Sequence, residues 1–431
     1  MILKRLLSLF IPLLLANNLS AQVTDTLRVM HYNLLNYRNT TSFCTESNNN
    51  AAQKDGHLKT IFQYVKPDIF TINEMGANWT NANKLLINAI LKDGIDNYDQ
   101  AEYSTNGTSS LVNMLFFNTD KLELHSQMAI TKDKNGAKLL RAIDLYTLYY
   151  KDDVGLAKGD TIFILVAVAH LKAGSTSNDK NLREKEANAL MDYFNDNNER
   201  INYLLCGDFN IQSSNESSYQ AFTNHSNANI RFYDPVDADG AWNNKSIYSN
   251  LHTQSTRTSS NGCFSGGGMD DRFDFILCGN EVLMNDYDVQ YIDGSYEALG
   301  QDSRRFNGSI NSPANIAVPK SVADALYNMS DHLPVVMDLK VKTQKVSVQE
   351  VPLLQWSFRN PVTDLLQIES VLPIDRIEIY SLEGQLVWSN NFPPSTEISA
   401  SISDLSNGIY FIKVSSPKGI EATKKLILRT N

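Results

Sequence analysis

The sequence predicts an α/β domain followed by a small all-β domain, and three features of the chain indicate this. Apolar residues recur at helical spacing over 51–65 and 181–194. Apolar runs typical of β-strands alternate with these helical segments. Beyond Val341 the chain changes to short strands and turns, whose spacing favours a small β-sandwich. The length of 431 residues allows about two to three domains of typical size.

Strand-like runs of the first domain each carry a polar residue at one end. In chain order these segments are 30–34, 68–74, 166–172, 206–210, 271–277 and 330–334. Asp208 and Asn210 are two residues apart, so both side chains leave the strand end on the same face. Asp331 lies directly beside His332. Brought together, these side chains suit a hard divalent cation and acid–base chemistry on a phosphate.

The six segments, in this order, resemble the motifs of the endonuclease/exonuclease/phosphatase superfamily, and within it the deoxyribonuclease I-like proteins. The resemblance covers residues 27–341. It implies two packed β-sheets with helices on their outer faces, a four-layer sandwich. It also implies an active site at one edge, where strand ends from both sheets converge.

The resemblance implies a metal site that contains Glu74, Asn33 and Asp331. A structural role for Glu74 is the alternative, but an uncompensated carboxylate after the apolar run 69–72 would be costly. The expected ion is Mg²⁺, with Mn²⁺ or Ca²⁺ as alternatives.

The resemblance also implies the catalytic groups. His170 and His332 look like the family's two catalytic histidines, with Asp274 orienting His332 and Glu102 orienting His170. A core histidine is the alternative for His170. Asp208 would share base duty with the histidines, and the sequence leaves that division open.

Two further residues resemble groups that contact the substrate. Asn210 would orient the phosphate, and Arg141 would contact the scissile or a neighbouring phosphate, a surface salt bridge being the alternative for Arg141. The long loop 296–329 contains Arg304, Arg305 and Phe306, which could hold phosphate and stack a base or form a solvated charged loop.

The ends of the chain predict export. Residues 1–21 read as a secretory signal peptide, with a basic start and an apolar run too short to span a membrane. The catalytic domain is expected at 22–342, a polar linker at 343–350 and a C-terminal domain at 351–431. The C-terminal domain resembles the sorting domain of type IX secretion, and an accessory binding module is the alternative.

Charge and cysteine content add two expectations. Removing Lys4 and Arg5 with the signal peptide takes the net charge from −10 to −12, which gives no hint of a polybasic surface. Cys206 and Cys278 are expected to be buried thiols. Whether Cys44 and Cys263 form a disulfide is left open by the sequence.

The function expected is that of a secreted or cell-surface phosphodiesterase that depends on a divalent metal, an extracellular nuclease acting on DNA or RNA. The alternatives are a phospholipid or inositol-phosphate hydrolase of the same superfamily, and a non-catalytic surface adhesin. The protein is expected to be a monomer without a stable membrane span, with nucleic acid and the secretion machinery as partners.

Overall fold

The computed structural model describes residues 23–102, 110–197, 202–284, 288–343 and 354–429. The chain divides into two compact units, Met1–Val346 and Ser347–Asn431. The signal peptide expected at 1–21 lies outside the described residues, and so does the expected linker at 343–350 apart from its first residue.

The N-terminal unit contains thirteen strands and seven α-helices among its described residues. The strands are β1 (Val23–Tyr37), β2 (Ile69–Gly76), β3 (Tyr98–Gln100), β4 (Leu111–Asn118), β5 (Leu122–Lys132), β6 (Lys138–Tyr150), β7 (Phe163–His170), β8 (Asn202–Asp208), β9 (Phe232–Tyr233), β10 (Asp274–Gly279), β11 (Val289–Tyr291), β12 (Glu297–Ala298) and β13 (Val335–Thr343). The helices are α1 (Ala51–Val65), α2 (Trp79–Leu85), α3 (Asp153–Lys158), α4 (Ser177–Asp196), α5 (Ser217–Thr223), α6 (Asn280–Leu283) and α7 (Lys320–Met329).

These strands form two sheets. The first has the order β11-β13-β1-β2-β4-β3, with β12 also paired to β13, and the second has the order β5-β6-β7-β8-β10-β9. Only two of the described pairs are parallel, β1 with β2 and β7 with β8. Each parallel pair is connected by one helix, α1 or α4. The carboxyl ends of these strands therefore lie side by side within each sheet.

The core is arranged in layers that confirm the predicted fold class. Inward-facing residues of both sheets, such as Val29 on β1 and Val166 on β7, form one hydrophobic cluster between the sheets. The opposite face of the first sheet packs on α1, α2 and α7. The opposite face of the second sheet packs on α4 and α5. Strands that are buried on both faces have continuous apolar sequences, and for this reason they could be recognised in the sequence.

Local signals set the bounds of the two main helices. Asn50 caps α1 by accepting from the backbone N–H of Gln53, and Lys66 ends it in the left-handed conformation at φ 50°. α4 begins with a capping box in which Thr176 and Asp179 each accept from the other's backbone N–H.

The C-terminal unit is an all-β domain with a core of its own. Its strands are β14 (Trp356–Phe358), β15 (Leu365–Tyr380), β16 (Leu386–Ser401), β17 (Gly408–Ser415) and β18 (Glu421–Leu428). The first half of β15 pairs with β14 and its second half with β17. Residues from both halves, including Ile368 and Ile377, belong to a single hydrophobic cluster.

The cysteines and the hydropathy of the helices complete the description. Cys44 and Cys263 form a disulfide, whereas Cys206 and Cys278 are buried free thiols, as expected. No helix within the described ranges is long and apolar enough to cross a membrane.

Candidate active site

The ends of β2, β7 and β8 bring Glu74, His170 and Asp208 together. His170 Nε2 lies 3.7 Å from Glu74 Oε1 and 3.5 Å from Asp208 Oδ2. The register of the second sheet explains part of this, because His170 pairs with Asp208 and Asp208 pairs with Asp274. His170 and Asp208 are almost fully buried, while Glu74 keeps 15% of its side chain exposed. The cluster is therefore open to solvent through Glu74.

The Glu74 carboxylate is held at both oxygens. Its Oε1 accepts from Asn33 Nδ2 at 3.2 Å, and its Oε2 accepts from the backbone N–H of Asn36 at 2.9 Å. Glu74 itself has a φ of 61°, and Leu35 and Asn36 have φ of 46° and 47°. Left-handed conformations at residues other than glycine are sparse and are maintained by surrounding structure. Several contacts therefore hold this carboxylate in one position.

Asn33 links the two carboxylates of the cluster. Its Nδ2 donates to Glu74 and also to Asp208 Oδ2 at 3.0 Å, while its Oδ1 accepts from the backbone N–H of Leu35 at 2.9 Å. Because the Leu35 N–H donates to Oδ1, the amide presents its donor to the two carboxylates. To bind a cation, Asn33 would have to turn its oxygen towards Glu74 and Asp208.

A buried polar chain behind Asp208 was not predicted from the sequence. Asn73 Oδ1 accepts from the Asp208 backbone N–H at 2.9 Å, and Asn73 Nδ2 donates to Asn113 Oδ1 at 2.7 Å. Asn113 Nδ2 in turn donates to Asp144 Oδ2 at 2.8 Å. The chain crosses between the sheets and fixes the end of β8. An amide inside the apolar run 111–117 was the signal that could have revealed it.

His332 and Asp274 form the second acid–base pair. His332 Nδ1 lies 2.7 Å from Asp274 Oδ2, and both side chains are buried. His332 Nε2 lies 3.8 Å from Asp208 Oδ2 and 2.7 Å from Gln254 Nε2. A doubly protonated His332 requires Gln254 to present its Oε1 instead. Gln254 lies in a long loop without periodicity, so no pattern of residues indicated it.

The two histidines have opposite electrostatic environments. Burial, followed by the Arg141 cation, lowers the pKa of His170 well below its ordinary value. Burial also lowers the pKa of His332, but the Asp274 and Asp208 carboxylates outweigh it and raise that pKa well above its ordinary value. Burial raises the pKa of Asp208, and His332 opposes this rise. The site therefore holds one neutral and one cationic imidazole, a division suited to separate base and acid roles.

The residues expected to contact substrate lie at the rim of this cluster. Asn210, at φ 53°, donates from Nδ2 to Leu171 O at 3.2 Å and from its backbone N–H to Asp208 Oδ1 at 3.0 Å. Arg141 donates from its guanidinium to the carbonyls of His170 and Leu171. Arg141, Glu74 and His170 line one small cavity.

The structure does not bring Glu102 to His170. β3 ends at Gln100, and Glu102 then turns towards β5, where its backbone N–H donates to Gln127 Oε1 at 2.7 Å. Its side chain is exposed, and no hydrogen bond or ion pair joins it to His170 in the described part of the chain. The carboxylates that face His170 are Glu74 and Asp208.

Asp331 is buried beside the cluster without joining it. Its Oδ2 accepts from the backbone N–H of Ser265 at 2.8 Å, whereas its Oδ1 accepts no hydrogen bond from any described residue. Ser330, on one side of it, donates to Asn33 O at 2.7 Å, and His332, on the other, faces Asp274. Because side chains alternate along the extended segment 330–332, Asp331 points to the side opposite Ser330 and His332.

The donor set fits a hard divalent cation. Glu74, His170 and Asp208 each offer one ligand atom, and these atoms lie within 4.8 Å of one another. Glu74 and Asp208 each place a carboxylate oxygen within 4 Å of His170 Nε2. A cation with oxygen ligands would compensate this concentration of negative charge.

The segment 296–329, expected to be one long loop, contains β12 and α7. Its arginines also differ from the expectation that they could hold phosphate. Arg305 is buried and forms a bidentate ion pair with Asp302, at 2.8 and 2.6 Å, and also donates to Pro313 O and Ala314 O. It therefore stabilises the loop and has no free donor pair for phosphate. Arg304 is exposed, and the Phe306 ring lies 6.0 Å from that of His252.

Comparison with known proteins identifies the C-terminal domain. Residues 358–429 match the family model described as the secretion system C-terminal sorting domain. The C-terminal unit is a secretion sorting domain. The protein is therefore exported by type IX secretion to the cell surface or beyond. In the sorting domain, the turn at 381–384 closes with a hydrogen bond from Ser381 N to Gln385 O.

Solved structures with a similar fold include members of the endonuclease/exonuclease/phosphatase family. A family member from Bacteroides thetaiotaomicron is 16% identical, with 74% of this chain and 97% of that chain covered and a TM-score of 0.45. The human Nocturnin catalytic domain with bound sulfate is 17% identical, with 74% and 97% covered and a TM-score of 0.44. A mannosyl-6-phosphatase from Bacteroides thetaiotaomicron is 17% identical, with 73% and 99% covered and a TM-score of 0.45. No curated protein sequence matches the chain.

Proposed function

We propose that the N-terminal unit is a divalent-metal-dependent phosphodiesterase, and that its substrate is extracellular nucleic acid. One observation carries the proposal. Two carboxylates, Glu74 and Asp208, meet a neutral histidine and a histidine that is paired with a third carboxylate, all within one partly open cluster. Hydrolysis of a phosphodiester needs charge compensation, a base for water and an acid for the leaving oxygen.

The residues divide these tasks. His332, held and charged by Asp274, is the proton donor to the leaving oxygen. The proton of the attacking water passes to Asp208 or His170, whose facing atoms are 3.5 Å apart. Asn210 and Arg141 orient the phosphate from the rim. Glu74, Asp208 and a reoriented Asn33 would hold the cation. When bound, that cation supplies positive charge for the phosphoryl oxygens.

A second candidate is hydrolysis of a small phosphate ester such as an inositol phosphate. Three basic side chains of the N-terminal unit favour it, because each is already paired within the protein. Lys172 lies 2.8 Å from Asp179, Arg257 donates to Tyr327 O, and Arg305 is bound by Asp302. Extended nucleic acids are normally held by several free cations along the backbone, so the engagement of these three side chains favours a smaller substrate.

The test is a substrate panel. Purified protein lacking residues 1–21 is incubated with plasmid DNA, RNA, sphingomyelin and an inositol phosphate, with Mg²⁺ or with excess EDTA. The proposal expects nucleic acid to be cleaved in Mg²⁺ only. Cleavage of the inositol phosphate alone would select the second candidate. Absence of hydrolysis from every substrate by folded protein would contradict both and leave the adhesin alternative.

A further inference from the structure

Helix α1 carries a buried lysine that the proposed chemistry does not use. Lys54 is 2% exposed. Its Nζ donates to Leu34 O at 2.7 Å, Leu35 O at 2.7 Å and Asn49 Oδ1 at 2.8 Å. Three acceptors match the three N–H bonds of the ammonium form. None of these acceptors is a carboxylate, and in the described part of the chain no ion pair neutralises this lysine.

A charged lysine that is buried in this way lowers the stability of the fold unless its hydrogen bonds hold another segment in place. Burial lowers the pKa of Lys54 to about 7, which measures the penalty on the charged form, and the carboxylates of Asp331 and Glu74 act against it. A buried charge without a contacting counter-ion destabilises a fold unless its hydrogen bonds are all satisfied. An apolar residue at this position of α1 would avoid the penalty.

The segment that Lys54 binds is the one that holds Glu74. Leu34 and Leu35 lie between Asn33 and Asn36, and those two asparagines donate to the two oxygens of the Glu74 carboxylate. Leu35 and Asn36 are both in the left-handed conformation. Asn49 strengthens the attachment, because its Nδ2 donates to Leu35 O at 3.3 Å and to Asn36 O at 3.0 Å. Lys54 and Asn49 thus anchor a strained turn to α1.

We propose that Lys54 is a positioning residue for the Glu74 carboxylate. It acts through the backbone of residues 34–36, keeping the Asn36 backbone N–H and the position of Asn33 fixed so that Glu74 is directed at the cation. The inference rests on the proposed function in one respect, that Glu74 binds a divalent metal. It adds that metal affinity depends on a lysine that touches neither the metal nor the substrate.

The experiment measures Mn²⁺ binding by calorimetry, independently of turnover. Four proteins are compared: wild type, Glu74→Gln, Lys54→Met and the control Lys59→Met. Lys59 lies on the same helix but is paired with Asp93 at 2.9 Å on the surface. Loss of a group that orients a ligand typically weakens metal binding by about 10–100-fold. We expect Lys54→Met to weaken Mn²⁺ binding by that factor and Lys59→Met to leave it unchanged.

The outcomes separate the two proposals. If Glu74→Gln binds Mn²⁺ as tightly as wild type, the metal assignment of the proposed function fails. If Glu74→Gln binds weakly and folded Lys54→Met binds like wild type, the positioning role alone fails. Should Lys54→Met not fold, Asn49→Ala decides, because it removes the second anchor of the same turn. Unchanged Mn²⁺ affinity in folded Asn49→Ala would then overturn the inference, and weakened affinity would support it.

Discussion

The Asp274→Asn substitution tests the assignment of His332 as the acid. The substitution keeps the shape of the side chain and removes its charge, which lies 2.7 Å from His332 Nδ1 in a fully buried pair. An opposite charge within a few ångströms changes a pKa by about 1–3 units, and each unit corresponds to about 1.4 kcal/mol. The protonated form of His332 should therefore lose about 1.4–4 kcal/mol of stabilisation.

This loss predicts both a rate and a pH effect. We expect kcat at neutral pH to fall by about 10–10³-fold, since this is the same free energy expressed as a rate. Asp274 raises the pKa of His332 in the wild type. If His332 must be protonated, activity is lost as pH rises through that pKa. The alkaline loss of activity should therefore begin at a lower pH in the variant than in the wild type.

The assay is initial-rate hydrolysis of the best substrate across a pH series, with circular dichroism to verify folding. Asp338→Asn is the matched control, because Asp338, on β13, pairs with Arg28, on β1, outside the cluster. The control should retain wild-type rates. A folded Asp274→Asn enzyme with an unchanged kcat and an unchanged alkaline limb would refute the role given to this pair.

Four further predictions follow from the same structure. His170→Ala should lower kcat by about 10²–10⁴-fold with little change in the melting temperature, which steady-state kinetics and thermal denaturation will check. Glu74→Gln should require more Mg²⁺ for half-maximal activity, and an unaltered Mg²⁺ titration would count against its role as a ligand. Burial raises the pKa of Glu186 from 4.5 to about 7. Because the folded state then holds this proton more tightly than the unfolded chain, wild-type stability should fall relative to Glu186→Gln by up to about 3 kcal/mol between pH 4.5 and 7, measured by urea unfolding. A chain ending at Thr343, the last residue of β13, should fold and cleave substrate in vitro yet remain in the periplasm of its native host; normal secretion would remove the sorting role.

The sequence predicted the parts of the site that depend on strand ends. His170 and Asp208 follow apolar runs and meet because parallel β7 and β8 place their carboxyl ends side by side. Asp274 and His332 were paired because the family resemblance implied it, and the structure places their side chains in contact. Both helices at 51–65 and 181–194 were also predicted, since their apolar residues recur at helical spacing.

The features of the site that could not be predicted from the sequence depend on the paths of loops and on hydrogen bonds to the backbone. Glu102 was assigned to His170, but the chain turns away after Gln100. Arg305 was considered for phosphate binding, but tertiary contacts bury it against Asp302. Lys54 acts through carbonyl groups, which carry no side-chain identity, so no pattern of residues indicates its contacts.

The most direct test of the central claim is plasmid nicking by wild type and Asp208→Asn, each in Mg²⁺ and in excess EDTA. Asp208 faces His170, His332 and Asn33 at once, so removing its charge affects every step assigned to the cluster. We predict nicking by the wild-type protein in Mg²⁺ and none in the other three conditions. Nicking that persists in EDTA, or in folded Asp208→Asn at the wild-type rate, would contradict a metal-dependent phosphodiesterase at this site.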